Sequence, residues 1–184
     1  KMSSALAQSS KQFQDAVVKG DFSTADKYLQ SLKGTLLELD SLPPLSFPSA
    51  NSQEEILLAR DIYEHAVILS IRNEDKFSFQ SYISILKPYR FGLSLAESSL
   101  TNIITGLSLL YLLVENQLSD FHSELELLTE EQRHHPAIVF CTQLDQYLMI
   151  GSYDQVIAAA SHPPVDYFSF FLNSLLETVR VNIC

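Results

Sequence analysis

The sequence predicts an all-α protein, a right-handed array of antiparallel helical hairpins. Three observations point to this fold. Apolar residues recur at helical spacing along most of the chain, no segment sustains the alternation typical of a β-strand, and similar short turns join successive apolar segments. We expect a single helical-repeat domain over residues 1–184, a length sufficient to bury a sizeable core.

Two apolar stripes predict the first two helices. The first runs through Leu6, Phe13 and Val17. The second runs through Ala25, Leu29, Leu32, Leu36 and Leu39, in steps of four and three residues that keep all of them on one helix face. A loop is expected next, at about residues 41–52, because this segment is rich in Pro, Ser and Asn. We interpret it as a long loop within one array; the alternative is a linker between two domains.

The helical pattern resumes directly after this loop. The next stripe consists of Ile56, Ala59, Tyr63, Ala66, Val67 and Ser70, whose small members allow close helix packing. Pro88 is expected just after the end of a further helix. Residues 98–114 contain no Asp, Glu, Lys or Arg, but they are fewer than the ~20 residues of a membrane span and include polar side chains. We interpret them as a buried core helix.

Four polar pairs predict helix starts by the spacing of a capping box, in which a hydroxyl and a later acid or amide satisfy the first backbone N–H groups. The pairs are Ser23 with Asp26, Ser52 with Glu55, Thr129 with Gln132, and Ser152 with Gln155. Pro136 is well placed in the first turn of a helix that runs to about Ile150.

A recurring turn connects these segments. It occurs at residues 19–22, at residues 150–153 and, in a looser form, at residues 116–121. In each, Gly or Asn can take a left-handed conformation and an aromatic residue follows, which could fill the cleft between two helices. Turns of this kind join the hairpins of tetratricopeptide-like arrays, although no strict period of 34 residues is present.

The last segment, residues 165–184, is apolar on more than one helix face. We therefore expect it to be buried on both sides, with its outer side covered by a partner or by a further part of the protein. The alternative is that it folds back onto the array.

The chain is acidic, with 12 basic and 22 acidic residues and a formal net charge of -10. Nucleic-acid binding is not expected, because this charge repels phosphate and the basic residues are scattered singly. Cys141 and Cys184 lack metal-ligand spacing and are interpreted as reduced thiols of an intracellular protein. Residues 1–11 lack the apolar run of a signal peptide, and Met2 is interpreted as the native start.

A search for catalytic motifs yields only incomplete ones. His122 and Glu124 match half of a zinc-deaminase signature, but the required pair of cysteines is missing, so His122 is expected to line or cap a helix at about residues 119–128. His134 and His135 lack metalloprotease order and fit a solvated turn. Ser108 lacks the glycines of a nucleophile elbow, and Cys141 lies in an apolar segment typical of buried thiols. We predict no catalytic, cofactor-binding or metal-binding residues, and no enzyme.

Three stretches in the second half of the chain resemble the PCI family, in particular its proteasome lid branch. They are LLYLLVENQLSDFHSELE at residues 109–126, HP at 135–136 with LDQYLMIGSY at 144–153, and YFSFF at 167–171 with LLETVR at 175–180. The pattern Gln146-Tyr147-Leu148 followed by Gly151-Ser152-Tyr153 is fairly specific to this branch. The likeness is close over residues 109–180 and weaker before them.

The resemblance implies a non-catalytic structural subunit of the 26S proteasome regulatory particle lid, which acts in lid assembly and ubiquitin-dependent protein degradation. Its implied partners are other lid and regulatory-particle subunits in the cytoplasm and nucleus, with no membrane, nucleic acid, cofactor or small-molecule substrate. PCI proteins carry a winged-helix module after the helical array, and we expect this chain to be the N-terminal helical part without that module.

Two alternatives stay open. One is the equivalent PCI scaffold subunit of the COP9 signalosome or of translation initiation factor three. The other is a tetratricopeptide-type adaptor that binds peptides. The adaptor would need a concave groove lined by Lys, Arg and Asn, and the basic residues of this chain are sparse.

Overall fold

The computed structural model describes residues 2–37, 52–91 and 98–183, and within these ranges helices alternate with short turns and no strand occurs. The prediction of an all-α fold is therefore confirmed. The predicted loop at residues 41–52 lies outside the described residues except for Ser52, where a helix begins.

The described ranges contain ten α-helices and one 3-10 helix. They are α1 (Met2–Lys19), α2 (Phe22–Leu37), α3 (Ser52–Arg72), α4 (Lys76–Phe91), α5 (Thr101–Val114), α6 (Leu118–Glu126), α7 (Glu130–Arg133), α8 (Pro136–Met149), α9 (Tyr153–Ala160), the 3-10 helix Asp166–Phe168 and α10 (Ser169–Ile183).

The chain divides into two compact units, Lys1–Glu97 and Ser98–Cys184. The first contains α1 to α4 and the second α5 to α10. That all hairpins form one right-handed domain over residues 1–184 stays a prediction.

In the first unit, α1 packs on α2 and α3, and α3 packs on α4. Phe13 of the first predicted stripe is fully buried. Its ring contacts the His65 ring edge-on, with 6.4 Å between the two ring centroids. Ala25, Leu29 and Leu32 of the second stripe are buried as well. The side chains of Leu6, Leu36 and Leu39 lie outside the described ones.

The stripe predicted for α3 is buried, apart from the partly exposed Tyr63. Two tyrosines of α4, Tyr82 and Tyr89, lie beside Tyr63 with ring centroids 6.4 and 6.5 Å away. Burial raises the pKa of Tyr89 to about 12 and also raises that of Tyr63, so both phenols stay neutral in this interface. The contact between α3 and α4 is therefore aromatic and uncharged at these positions.

Four turns share one backbone geometry. Each places one residue in the left-handed region, with φ of 80° at Gly20, 56° at Glu74, 57° at Asn116 and 68° at Gly151. The sequence predicted the turns at Gly20, Asn116 and Gly151, and these are confirmed. The turn at Glu74 was missed, because glutamate seldom adopts this conformation.

The hydrogen bonds of the four turns are also the same. The N–H after the left-handed residue donates to the carbonyl five residues earlier, from Asp21 to Ala16, Asp75 to Ser70, Gln117 to Leu112 and Ser152 to Tyr147. This is the Schellman arrangement, which satisfies carbonyls at the end of a helix. The next helix begins one residue later, and its fourth residue is fully buried in every case: Ala25, Phe79, Phe121 and Val156.

The helix caps differ in part from the prediction. Thr129 and Gln132 form both bonds of a capping box, as predicted. The box at Ser23 is wrong, because α2 starts at Phe22 and Asp21 takes the capping role, accepting hydrogen bonds from the hydroxyl and N–H of Thr24. Ser152 precedes α9 but its hydroxyl makes no capping bond. The side chain of Ser52 is outside the described ones.

Asp75 caps α4 in the way that Asp21 caps α2, which the sequence analysis did not identify. Its carboxylate accepts hydrogen bonds from the hydroxyl and N–H of Ser78 and from the N–H of Phe77. These bonds lower the pKa of Asp75, the Ser78 hydroxyl contributing most, so the capping carboxylate stays ionised near neutral pH.

The two prolines within the helical regions behave differently. Pro136 occupies the first turn of α8, which ends at Met149, as predicted. Pro88 was expected beyond a helix, and this is wrong, because α4 continues through it to Phe91. Leu86 and Tyr89 on either side of Pro88 are buried, and their packing maintains the helix despite the missing N–H donor.

In the second unit, α5 is the central helix. It contacts α6, α8, α10 and the 3-10 helix, and all residues from Ile104 to Leu113 except Tyr111 are buried. The interpretation of residues 98–114 as a buried core helix is confirmed. None of the described helices is long and apolar enough to cross a membrane.

Neighbouring elements approach α5 closely at Gly106. A Cβ atom at this position would lie 2.8 Å from Phe168 Cζ and 3.1 Å from Ala137 Cβ. The Cys141 thiol donates a hydrogen bond of 3.3 Å to the Gly106 carbonyl from the same side. Glycine is therefore required here to let α8 and the 3-10 helix approach α5.

The final helix differs from the main expectation. Phe171, Leu172, Leu175 and Val179 of α10 are buried, and the helix packs on α5 and α9. Its outward positions are polar and exposed: Asn173, Glu177 and Arg180. The expectation of burial on both sides is wrong for the described side chains, because Phe168 belongs to the 3-10 helix and α10 itself is amphipathic. In the structure the segment instead folds back onto the other helices, which was the alternative.

We predict that Gly106→Ala lowers the free energy of unfolding by about 1–3 kcal/mol, because the added methyl group overpacks the contact with Phe168 and Ala137. Urea denaturation followed by circular dichroism measures this. Gly34→Ala is the control, since nothing lies within 4 Å of the added methyl group, and helix propensity should make it neutral or stabilising. Equal destabilisation by both substitutions would contradict the packing argument.

We predict opposite effects at two left-handed positions. Gly151→Ala should destabilise by about 1–2 kcal/mol from backbone strain alone, since no atom lies within 4 Å of the new Cβ. Glu74→Gly should stabilise by about 0.5–1 kcal/mol, because relief of strain outweighs the entropy cost of glycine. Thermal unfolding of the two variants tests this, and a fall in stability for Glu74→Gly would show that the turn is not strained.

Candidate protein-interaction surface

The residues of the incomplete deaminase motif do not form a reactive site. His122 is on α6 with its side chain half exposed, and its Nε2 lies 3.7 Å from Asp145 Oδ2 on α8. Glu124 is buried and accepts a 3.0 Å hydrogen bond from the Ser108 hydroxyl of α5. His122 thus lines α6, as expected. Glu124 and Ser108 connect α5 to α6 in the interior.

Cys141 is fully buried in α8. Burial raises the pKa of its thiol far above the ordinary value, so the thiol is protonated at neutral pH and a poor nucleophile. This agrees with the interpretation of Cys141 as a buried thiol. Cys184 lies outside the described residues.

His134 and His135 take structural roles at a helix junction. The Nδ1 of His134 lies 2.7 Å from the Glu130 carbonyl oxygen. His135 is the N-cap of α8, and its Nδ1 accepts a hydrogen bond from the N–H of Ala137. Sequence reasoning expected a solvated turn and did not identify this cap. In the part of the chain that the structure describes, no group of three or more His, Cys, Asp or Glu residues could hold a metal ion.

An apolar surface is present where α8 turns into α9. Met149 is 67% exposed and Ile150 is 73% exposed, so two adjacent large apolar side chains face solvent here. They stand beside a cleft of about 260 Å³ whose wall includes Met149, Leu148 and Tyr153. Its apolar lining also includes Leu118 of α6 and Leu175 of α10, together with Leu113, Val114 and Val179. From the sequence, residues 150–153 were predicted to form a turn and residues 151–153 to belong to the family pattern, but an exposed surface was not predicted here.

The second unit is also the more acidic one. Residues 98–184 contain ten acidic residues and two basic ones, Arg133 and Arg180, and no lysine. Residues 1–97 contain twelve acidic and ten basic residues. Nearly all of the net charge of the chain is therefore carried by the unit that has the apolar cleft.

Comparison with known proteins relates this unit to a family. Residues 99–184 match the CSN8/PSMD8/EIF3K family, a range that coincides with the second unit. Over 180 residues the chain is 38% identical to the 26S proteasome non-ATPase regulatory subunit 8 homolog A of Arabidopsis thaliana, covering 97% of this chain and 67% of that protein. The chain belongs to the CSN8/PSMD8/EIF3K family.

Two further relatives have similar names. The 26S proteasome non-ATPase regulatory subunit 8 of Caenorhabditis elegans is 32% identical over 134 residues, which are 72% of this chain and 53% of that protein. The 26S proteasome regulatory subunit rpn12 of Schizosaccharomyces pombe is 31% identical over 171 residues, 92% of this chain and 61% of that protein. The chain thus spans from about half to two thirds of the length of these relatives.

The resemblance noted in the sequence is confirmed by these matches. Residues 109–180, where the likeness is close, fall within the range assigned to the CSN8/PSMD8/EIF3K family. Those residues include the turn at Gly151 and the exposed Met149 and Ile150. The part of the chain shared with the family therefore includes both the buried α5 and the apolar cleft.

We predict that Cys141 is protected from thiol reagents in the folded protein. In a Cys184→Ser variant, which leaves Cys141 as the remaining thiol, reaction with a chromogenic disulfide should be roughly a hundredfold or more slower than in urea-unfolded protein. The time course of absorbance measures this. Reaction at the rate of the unfolded chain under native conditions would contradict the burial of the thiol.

Proposed function

We propose that this chain is a non-catalytic structural subunit of the 26S proteasome regulatory particle lid. Its partners are other lid and regulatory-particle subunits, and its role is in lid assembly and ubiquitin-dependent protein degradation. The observation that carries the proposal is the 38% identity, over 97% of this chain, to a protein named as a regulatory subunit of the 26S proteasome.

The arrangement of polar groups supports a structural role. Cys141 is protonated and enclosed, and the Glu124 carboxylate is engaged by Ser108 between two helices. His135 is committed to capping α8. The groups that could have carried chemistry thus stabilise the fold instead. The absence of catalytic, cofactor-binding and metal-binding residues from the whole chain stays a prediction.

The surface of the second unit supports a role in binding proteins. Solvent-exposed Met149 and Ile150 cost free energy in an isolated protein, and burial of such side chains is worth about 1.5–3 kcal/mol each. A rigid helical unit can offer them to a partner without the entropy cost of ordering a loop. The cytoplasm and nucleus are the proposed location, following the assignment to the lid.

The second candidate is the equivalent scaffold subunit of the COP9 signalosome or of translation initiation factor three. The family that matches residues 99–184 includes members of all three kinds by its description, CSN8/PSMD8/EIF3K. The proteasome names of these three relatives favour the lid. The partners that accompany the chain in cells distinguish the candidates.

We expect the chain to enter proteasomes when it replaces a relative. An epitope-tagged version would be expressed in Schizosaccharomyces pombe cells depleted of rpn12, and glycerol-gradient fractions would be analysed by quantitative mass spectrometry. The tagged chain should sediment with 26S particles in amounts comparable to lid subunits.

A variant with Phe121→Asp is the negative control, because a charge at this fully buried position should prevent folding. Co-purification with signalosome or initiation-factor subunits would favour the second candidate. Migration of the intact, folded chain free of all three complexes would contradict the proposal.

A further inference from the structure

The cleft beside the α8–α9 turn combines an apolar interior with an open, apolar edge. Its lining includes Leu118, Leu148 and Tyr153, while Met149 and the adjacent Ile150 project into solvent. A volume of about 260 Å³ accommodates one or two large side chains rather than a folded domain. The cleft therefore has the dimensions of a pocket for an anchoring side chain of another chain.

Two acidic residues, Glu115 and Asp145, lie at this cleft. Glu115 is exposed and lies between Val114 and Asn116, both of which line the cleft. Asp145 lies in the wall and is 94% buried; its Oδ2 lies 3.7 Å from His122 Nε2, whereas its Oδ1 accepts no hydrogen bond from the described residues. A buried carboxylate of this kind is stabilised by a cation brought next to it.

The charge of the whole unit has the same sign. Ten acidic residues against two basic ones in residues 98–184 produce a field that attracts cationic groups and repels anionic ones. A second copy of this chain would bring the same negative charge to the interface. Like charges at close range oppose such self-association.

We propose that this cleft binds a basic amphipathic segment of another protein, with an apolar side chain in the pocket and flanking Lys or Arg side chains near Glu115 and Asp145. This inference rests on the proposed function, the assembly of the chain with other subunits. It adds the surface through which the chain binds and the chemical character of the segment that binds there. Met149 and Ile150 pack against the apolar face of the segment, and the carboxylates select its charge.

The direct test uses the 184-residue chain and a fluorescent amphipathic helical peptide with leucine on one face and lysine on the other. Anisotropy should show saturable binding that weakens with added salt, since the attraction is partly electrostatic. A peptide with glutamate in place of lysine should bind at least roughly tenfold more weakly. Equal binding of the two peptides would overturn the proposal.

Matched substitutions locate the binding site. Met149→Gln combined with Ile150→Ser should weaken binding roughly tenfold, because apolar contact area is lost. Leu127→Ser is the control. Leu127 is 62% exposed and, like Ile150, directly follows the last residue of a helix. It does not line the cleft. An equal loss in the control would overturn the assignment to the cleft.

Charge is tested in the same way. Glu115→Lys should weaken binding several-fold and reduce its dependence on salt, whereas Glu126→Lys should leave both unchanged. Both residues are exposed at the C-terminal ends of helices, and both substitutions change the net charge equally. Equal effects of the two substitutions on peptide binding would show that only the net charge of the chain matters. That result would overturn the role of Glu115 at the cleft.

Two further measurements separate this inference from the proposed function. Sedimentation of the chain alone should show a monomer. A dimer that is dissociated by the combined substitutions Met149→Gln and Ile150→Ser would instead show that a second copy of the chain occupies the cleft. In the rpn12-depleted cells, the same double variant should enter 26S particles less efficiently than Leu127→Ser. Equal entry of both variants would overturn the role of the cleft and leave the lid assignment standing.

Discussion

The packing of the second unit depends on α5, on which the surrounding helices pack. The helix α5 contacts three other α-helices and a 3-10 helix, and no charged residue occurs between Thr101 and Val114. Two polar groups of α5 are paired internally, since Ser108 donates to Glu124 and the Gly106 carbonyl accepts from Cys141, whereas the buried Asn102 Oδ1 accepts no hydrogen bond from the described residues. The lack of a side chain at Gly106 then sets how closely α8 and the 3-10 helix can pack.

A second constraint acts at the chain reversals. The left-handed residue ends one helix, the next N–H closes the last turn, and the following helix starts at once. The direction of the new helix is thereby limited by the backbone, and its fourth residue is brought into the interior, whether that residue is Ala25 or Phe121. Turn and core position are thus coupled, since a change in either would rotate the next helix relative to its neighbours.

Much of this architecture could be read from the sequence, because apolar period and turn residues are local properties. Gly20, Asn116 and Gly151 belong to the residue types that tolerate positive φ, so their turns were predictable. Glu74 does not, although Ile71 and Phe79 on either side of the turn are buried. The local signal for this turn is the capping residue Asp75 with Ser78, which repeats the pairing of Asp21 with Thr24.

The interaction surface was less accessible to sequence reasoning. Met149 and Ile150 precede a glycine at the end of a regular apolar helix, a context in which core residues are equally common. Only the folded structure shows that both side chains are exposed and that Met149 lines a cleft. Similarly, the 3-10 helix separates Phe168 from α10, which leaves α10 with one apolar face instead of two.

The charge-free segment around α5 also matters for the lifetime of the protein before assembly. When the second unit opens transiently, residues 98–114 emerge as one uninterrupted stretch without acidic or basic residues. Such stretches aggregate readily and are what chaperones and proteolytic quality control act on. The helix that organises the folded unit is therefore also a segment that favours aggregation whenever the unit opens.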